Sequence, residues 1–242
     1  MRGIGLKLVT GTAALLALLA GPTWAADAKW SGSLGFSLNS TSGNSSTSSL
    51  GAELGLKLAP NPWGMEAGLT WLRAENEGTK TADRLAGRVR GMWELNETWS
   101  FFAGLAGERD TFAGYDMRAY LEAGATYKIL MGPKHELSAD GGLTRTHEER
   151  TDGGTRNFWG GLVGATYVWH FSANAALTER AALYPNFNYS SDWRITSDTS
   201  VQAKLTDLLA LKAAYQVKYS NQPPSGKHKT DTATVASVVV SF

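Results

Sequence analysis

Along most of this chain apolar side chains recur at every second position, and the runs they mark are separated by short clusters of Gly, Pro, Asn and Asp. Side chains on a strand alternate between its two faces, so each run predicts one strand with one apolar face. Trp30 to Leu38, Leu50 to Leu58, Trp63 to Trp71 and Leu85 to Trp93 give the first four. Trp99 to Leu105, Met117 to Ile129, Leu137 to Leu143 and Trp159 to Trp169 give four more. Ala175 to Leu183, Trp193 to Leu205, Leu209 to Tyr219 and Thr230 to Phe242 complete the set. The eighth run is apolar on both faces and the ninth is weak, so neither declares its facing. No run sustains the period of an amphipathic helix. About twelve strands, each near the roughly 9–11 residues that cross a bilayer when tilted, predict an all-β fold. The even number suits a single transmembrane antiparallel up-and-down β-barrel.

The connections alternate in character. Those near Pro60, Asn96, Pro133, Ser172 and Asp207 are short. Those around Gly43-Asn44, Glu75–Lys80, Arg109–Gly114, Thr146–Arg156, Tyr184–Asp192 and Ser220–Lys229 are expected to be mostly longer and more polar. Short turns on one rim and long loops on the other would place both chain ends on the short-turn, periplasmic side.

Alternation alone does not say which face looks outward, because a soluble barrel hides its apolar face and a membrane barrel displays it. Size separates the two cases. About eight strands enclose a space that side chains fill, whereas a wider barrel lined with apolar residues would hold a dry void. The aromatics agree. Trp30, Trp63, Trp93, Trp99, Tyr127, Trp169 and Phe242 fall near strand ends on the short-turn rim. Trp71, Tyr115, Trp159, Trp193 and Tyr219 fall near the other. Two belts of amphipathic rings are what the two membrane–water interfaces select.

Residues 1–25 have the form of a cleaved secretory signal peptide. Arg2 and Lys7 precede an apolar run from Leu8 to Ala20, and the small residue Ala25 precedes the expected cut. Residues 26–242 are left as the barrel. Losing Arg2 and Lys7 takes 23 basic side chains to 21 against 22 acidic ones, a net charge of −1. That balance argues against a nucleic-acid partner, which selects a basic excess. The chain has no cysteine, which excludes disulfides and thiolate metal sites. The last strand ends on a free Phe, as does the closing strand of many bacterial outer-membrane barrels. That likeness implies Phe242 as a C-terminal assembly signal in a Gram-negative cell. The implied partners are outer-membrane lipids, lipopolysaccharide, periplasmic chaperones and the barrel-assembly machinery.

With the apolar face outward, the charged face lines the lumen. Glu53, Lys57, Arg84, Arg88, Arg90, Arg118, Glu122, Lys128, Asp140, Arg194 and Lys212 are the main lining candidates, with Glu66, Glu94, Arg180, Asp198, Lys204 and Lys218 beside them. Two readings stand. The lining is a wet, somewhat cationic passage that favours anions, or it is a network of ion pairs that fills and stiffens a narrow interior.

Other chemistry is thinner. His170-Phe171-Ser172, with Asn174, has the composition of a nucleophile and base. It falls at a periplasmic turn, away from the outer leaflet where a lipase of this class would meet substrate. No catalytic residue, metal site or cofactor is expected. His135, His147 and His228 have no metal-ligand spacing. Thr146 to Asp152 reads as a charged loop tip, solvated or holding divalent cations. Glu108 and Asp110 read as loop-base hydrogen-bonding groups, and Pro223-Pro224 as stiffening of an exposed loop.

Trp30, Gly32 and Gly35, Gly43-Asn44, the stretch Glu108 to Tyr115, and Tyr219 to Pro223 followed by Thr230-Asp231 and Phe242 are similar to motifs of one family. By them the chain resembles the YdiY-like salt-induced outer-membrane proteins along essentially its whole mature length. The resemblance implies a non-enzymatic outer-membrane barrel, with a role in salt or osmotic stress, and brings no catalytic residues with it. The expected role is a narrow passive channel or an envelope-maintenance protein. A lipid-modifying enzyme and a surface-binding barrel are the alternatives.

Overall fold

The computed structural model describes residues 30–41 and 47–242. The signal peptide and Gly43-Asn44 lie outside the described residues. The chain forms twelve antiparallel strands: β1 (Trp30–Thr41), β2 (Thr47–Leu58), β3 (Trp63–Asn76), β4 (Thr79–Glu94), β5 (Trp99–Asp110), β6 (Tyr115–Met131), β7 (His135–Arg150), β8 (Thr155–His170), β9 (Ala175–Pro185), β10 (Trp193–Lys204), β11 (Leu209–Ser220) and β12 (Thr230–Ser241). Each strand pairs with its neighbours in the chain, and β12 pairs with β1, so the sheet closes on itself. Both described chain ends lie on one rim, called here the near rim. The seam is finished there by two backbone bonds. Gly32 N–H donates to the Phe242 carbonyl at 2.8 Å, and Phe242 N–H donates to the Gly32 carbonyl at 3.0 Å. The Phe242 ring lies over Gly32, where any Cβ would collide with it.

The apolar stripe faces outward on every strand. Leu38, Trp63, Leu105, Leu121, Leu143 and Val163 stand exposed on the exterior. The buried side chains are instead largely polar and point into the barrel, among them Arg118, Glu122, Thr146 and Glu148. This is the reverse of a soluble core and is the arrangement hydrocarbon solvent requires. Trp30, Trp63, Trp93, Trp99, Tyr127, Trp159 and Trp169 are exposed, and Trp71, Trp193 and Tyr219 are half-buried. Rings meet in tilted pairs between neighbouring strands, as in Trp99 with Tyr127 at 4.8 Å and Trp193 with Tyr219 at 5.0 Å between centroids.

The two ambiguous strands resolve by pairing. On β8, Trp159, Val163, Ala165 and Trp169 face out, while Phe158 and Leu162 are buried inside. On β9, register places Ala181 beside Ala165 and Leu177 beside Trp169 on the exterior. Glu179 shares that outer face, opposite Tyr167 and Thr199. Its carboxylate is satisfied locally, accepting from Ser197 Oγ at 2.7 Å and from Thr199 Oγ1.

Loop asymmetry is weaker than expected. At the far rim, Glu75–Lys80 is a two-residue hairpin at Glu77-Gly78, both with positive φ, the geometry such a hairpin demands. The connection expected over Thr146–Arg156 shrinks to residues 151–154. There the Asp152 carboxylate accepts the Gly154 N–H at 3.0 Å. Only residues 186–192 and 221–229 are longer excursions among the described residues.

Outward facing has a measurable consequence. Leu105→Arg, halfway along β5 on the exterior, is expected to cost about 2–4 kcal/mol of folding free energy in lipid. Gln216→Arg, inward beside Asp198, should cost clearly less. Urea unfolding in lipid vesicles compares them, and equal losses would contradict the facing.

Candidate functional site

The lumen is lined by the inward residues of each strand, and opposite charges meet there in layers. Midway along the barrel, Glu122 accepts from Arg88 Nη2 at 2.6 Å and from Arg90 Nε at 2.9 Å. Arg90 Nη1 also donates to Asp140 at 2.9 Å, while its guanidinium lies 3.9 Å above the Phe102 ring. Toward the near rim, Lys128 pairs with Glu94 at 2.7 Å, Lys212 with Glu53 at 2.9 Å, and Lys57 with Glu66 at 3.3 Å. Arg84, nearer the far rim, lies 3.5 Å from Glu108 and 4.0 Å from Asp110.

One pair differs from the others in what it spans. Lys218 on β11 is ion-paired to Glu108 on β5. Those strands stand six places apart in a ring of twelve, so the pair crosses the lumen from wall to wall. Arg118 holds the same carboxylate from β6 at 3.3 Å. Above this bridge the 221–229 loop reaches the opposite wall as well. Pro224 is buried against Gly114, and Lys227 Nζ donates to the Thr111 carbonyl at 3.3 Å. Pro224 is thus a contact across the mouth rather than part of an exposed loop.

Several expected positions move inward. Tyr115 is not an interface aromatic: it is 4% exposed, with the Arg118 guanidinium 3.4 Å above its ring. A register shift between Tyr115 and Met117 breaks the alternation that placed it outside. Glu148 is not on a loop tip, because β7 continues to Arg150. It is 1% exposed and bonded to Arg118 Nε at 3.0 Å and to Arg150 Nη2 at 3.3 Å. Glu108 likewise belongs to the lumen, while Asp110 does serve its turn, accepting the Ala113 N–H at 3.0 Å. Carrying the period-two count past Leu105 and Leu143 places Glu108, Glu148 and Arg150 on the charged face, so the signal was available.

All eleven main lining candidates point inward. Arg194 and Arg180 have no carboxylate within 4.0 Å among the described residues. Arg194 lies beside Tyr120 and Tyr184, 5.6 and 5.4 Å from their ring centres, and those two rings stack at 6.4 Å. A mid-lumen cavity of about 290 Å³ is lined by Arg88, Arg90, Asp140, Arg180, Tyr184 and Asp198, among others. His170 and Ser172 are engaged separately. His170 Nε2 meets Glu136 at 3.1 Å, and Ser172 Oγ accepts the Asn174 N–H at 3.2 Å. Among the described residues, no group of three or more His, Asp or Glu side chains is placed to hold a metal.

A family described as "Protein of unknown function, DUF481" matches residues 34–242. The chain belongs to that family. No curated protein matches this DUF481 chain. Among solved structures, an outer membrane channel from Pseudomonas putida F1 superposes with a TM-score of 0.51 at 12% identity, covering 89% of this chain and 95% of that one. The NanC porin gives 0.49 at 10%, covering 88% and 98%. At this identity the channel's likeness shows a common fold, that of the outer-membrane barrels.

The buried pairs set the energetics of the DUF481 lumen. Removing one partner of a buried pair strands the other charge, at a cost of about 3–5 kcal/mol. Glu148→Leu, which strands Arg150 and leaves Arg118 with Glu108 as its one ion-pair partner, is therefore expected to lower stability by about that amount. Lys57→Ala, whose pair is half-exposed, should change it by less than about 1 kcal/mol. Paired unfolding curves check the contrast.

Proposed function

We propose that this protein is a non-enzymatic outer-membrane barrel that acts as a narrow passive channel, barred toward the far rim by the Glu108–Lys218 bridge. The bridge is the observation that carries this reading. It joins opposite walls of a polar lumen inside a barrel whose exterior is apolar, so one ion pair divides the passage. The lining also favours anions, because its carboxylates are outnumbered: Glu108 is shared by three cations, and Glu122 and Glu148 by two each. Arg180 and Arg194, without a carboxylate within 4.0 Å among the described residues, are matched by Asp198 and Asp231, so the bias comes from the shared carboxylates, and a polar constriction selects by the sign of its net charge. His170 and Ser172 support the non-enzymatic part, since each already bonds to a group other than its supposed partner. The resemblance to salt-induced outer-membrane proteins adds a role in salt or osmotic stress, which loss of growth specifically at high salt in a deletion strain would support.

A second reading is favoured by the density of the same ties: a barrel stiffened from within that maintains the envelope without conducting. Planar-bilayer recording separates the two. The wild-type barrel is expected to pass small, anion-biased currents, and Lys218→Ala to raise them several-fold by releasing Glu108 from the far wall. A flat trace from both proteins ends the channel proposal in favour of the stiffened barrel.

A further inference from the structure

The seam between β1 and β12 is paired over only part of its length. Its ladder runs from Gly32–Phe242 to Phe36–Val238 and stops there. Neither strand ends at that point. β1 goes on pairing with β2 as far as Thr41–Thr47, and β12 with β11 as far as Thr230–Tyr219. Residues 37–41 of β1 and 230–237 of β12 are therefore not paired with each other. Exposure along β1 follows the parting. Leu34 is half-buried, Phe36 is 58% exposed, and Leu38, with only β2 beside it, is 79% exposed. Inside the lumen the Lys212–Glu53 pair ties β11 to β2 across the seam. It sits at the level of the last ladder pair, since Lys212 stands beside Ser237 and Glu53 beside Gly35.

Parted strands leave backbone groups without partners. Gly32 and Phe242 exchange both hydrogen bonds, and in an antiparallel ladder every second residue turns its N–H and C=O to the same side. Thr232, Thr234 and Ala236 consequently aim theirs toward β1, which pairs with none of them. These residues lie beside Val217, Tyr215 and Ala213 of β11, short of the far-rim Tyr219. That is hydrocarbon depth, where an unmet backbone group is costly. Donors and acceptors that recur at every second residue along an edge are matched by another extended backbone, which carries the same repeat.

We propose that the free edge of β12, Thr230 to Ser237, is a docking site for an extended peptide segment of a second polypeptide, added to the sheet as one more strand. The segment's side chains would alternate, apolar toward lipid and polar toward the lumen, as on the barrel's own strands. The site does not depend on the barrel conducting. Because the chain has no cysteine, introduced pairs report on the seam directly. Ser33→Cys with Ser241→Cys, in the paired part, is expected to form a disulfide readily. Asn39→Cys with Val235→Cys, where the same register would continue, is expected not to. Equal cross-linking means a seam closed to the far rim and overturns the site. The binding probe is a fluorescent synthetic peptide copying Leu211–Tyr219, the segment that already pairs with Thr230 to Val238 on the other side of β12. With the folded mature barrel in lipid nanodiscs, its anisotropy is expected to show saturable binding. N-methyl groups on the peptide backbone remove its donors and should weaken binding about tenfold. Thr234→Pro removes one N–H from the free edge and spares the bonds to β11, so it should weaken binding as well. No binding, or binding unchanged by N-methylation or by Thr234→Pro, overturns the proposal. Dimerisation of the barrel without peptide assigns the edge to a second copy and overturns it too.

Discussion

Hydrocarbon offers no hydrogen-bond partner, so every backbone N–H and C=O that meets lipid must be satisfied within the protein. A sheet with two free edges fails that condition, and the meeting of β1 with β12 removes those edges as far as the two strands pair. The reciprocal bonds between Gly32 and Phe242 at 2.8 and 3.0 Å complete that seam at its end. The absence of a Cβ at Gly32 lets the terminal ring lie flat across it. Once closure is imposed, the rest of the architecture follows. Period two sorts side chains into an outer and an inner set, and the solvent outside selects which set is apolar.

Placing charge inside a cylinder creates the second problem, which is how to hold so many ionic groups away from bulk water. The barrel answers it by crowding opposite charges together on the inner face, between adjacent strands and between strands two or three places apart. Glu122, Glu148 and Glu108 each draw at least two cations. Most of these contacts join strands one to three places apart in the ring, as Arg118–Glu148 does between β6 and β7 and Arg88–Glu122 between β4 and β6, and so brace one wall. Glu108–Lys218 does something different because of where its two strands stand in the ring. The same chemical interaction that stiffens a wall elsewhere becomes, there, a bar across the passage. Nearer the middle of the barrel glycine shapes the interior: Gly124 has no Cβ, and the room is taken by the Gly141 carbonyl, the Gly142 Cα and the Phe102 ring on which Arg90 rests.

Much of this was legible from residue order. All twelve strands lie where period-two runs place them, and the eleven main lining candidates face inward, since alternation is a local property that needs no knowledge of neighbours. Errors fell where local rules were interrupted. Tyr115 was misplaced by a bulge, which shifts one residue's facing without any mark in composition. Thr146 to Asp152 has the charged composition of a loop, yet its charges up to Arg150 belong to β7, with Asp152 alone in the turn, and Glu148 is among the most buried side chains in the barrel. Glu179 shows the converse, a carboxylate on the oily face made tolerable by two hydroxyls from the adjacent strand.

Sequence by itself determined the fold class, the strand count and the outward direction of the apolar stripe, because each rests on spacing along the chain and on the solvent that spacing implies. Tertiary structure alone decided which charges meet. The Glu108–Lys218 ion pair between β5 and β11 and the contact of Pro224 with Gly114 both depend on curvature and stagger. Those are properties of the closed ring, and residues more than a hundred positions apart, such as Glu108 and Lys218, carry no local sign that they will touch.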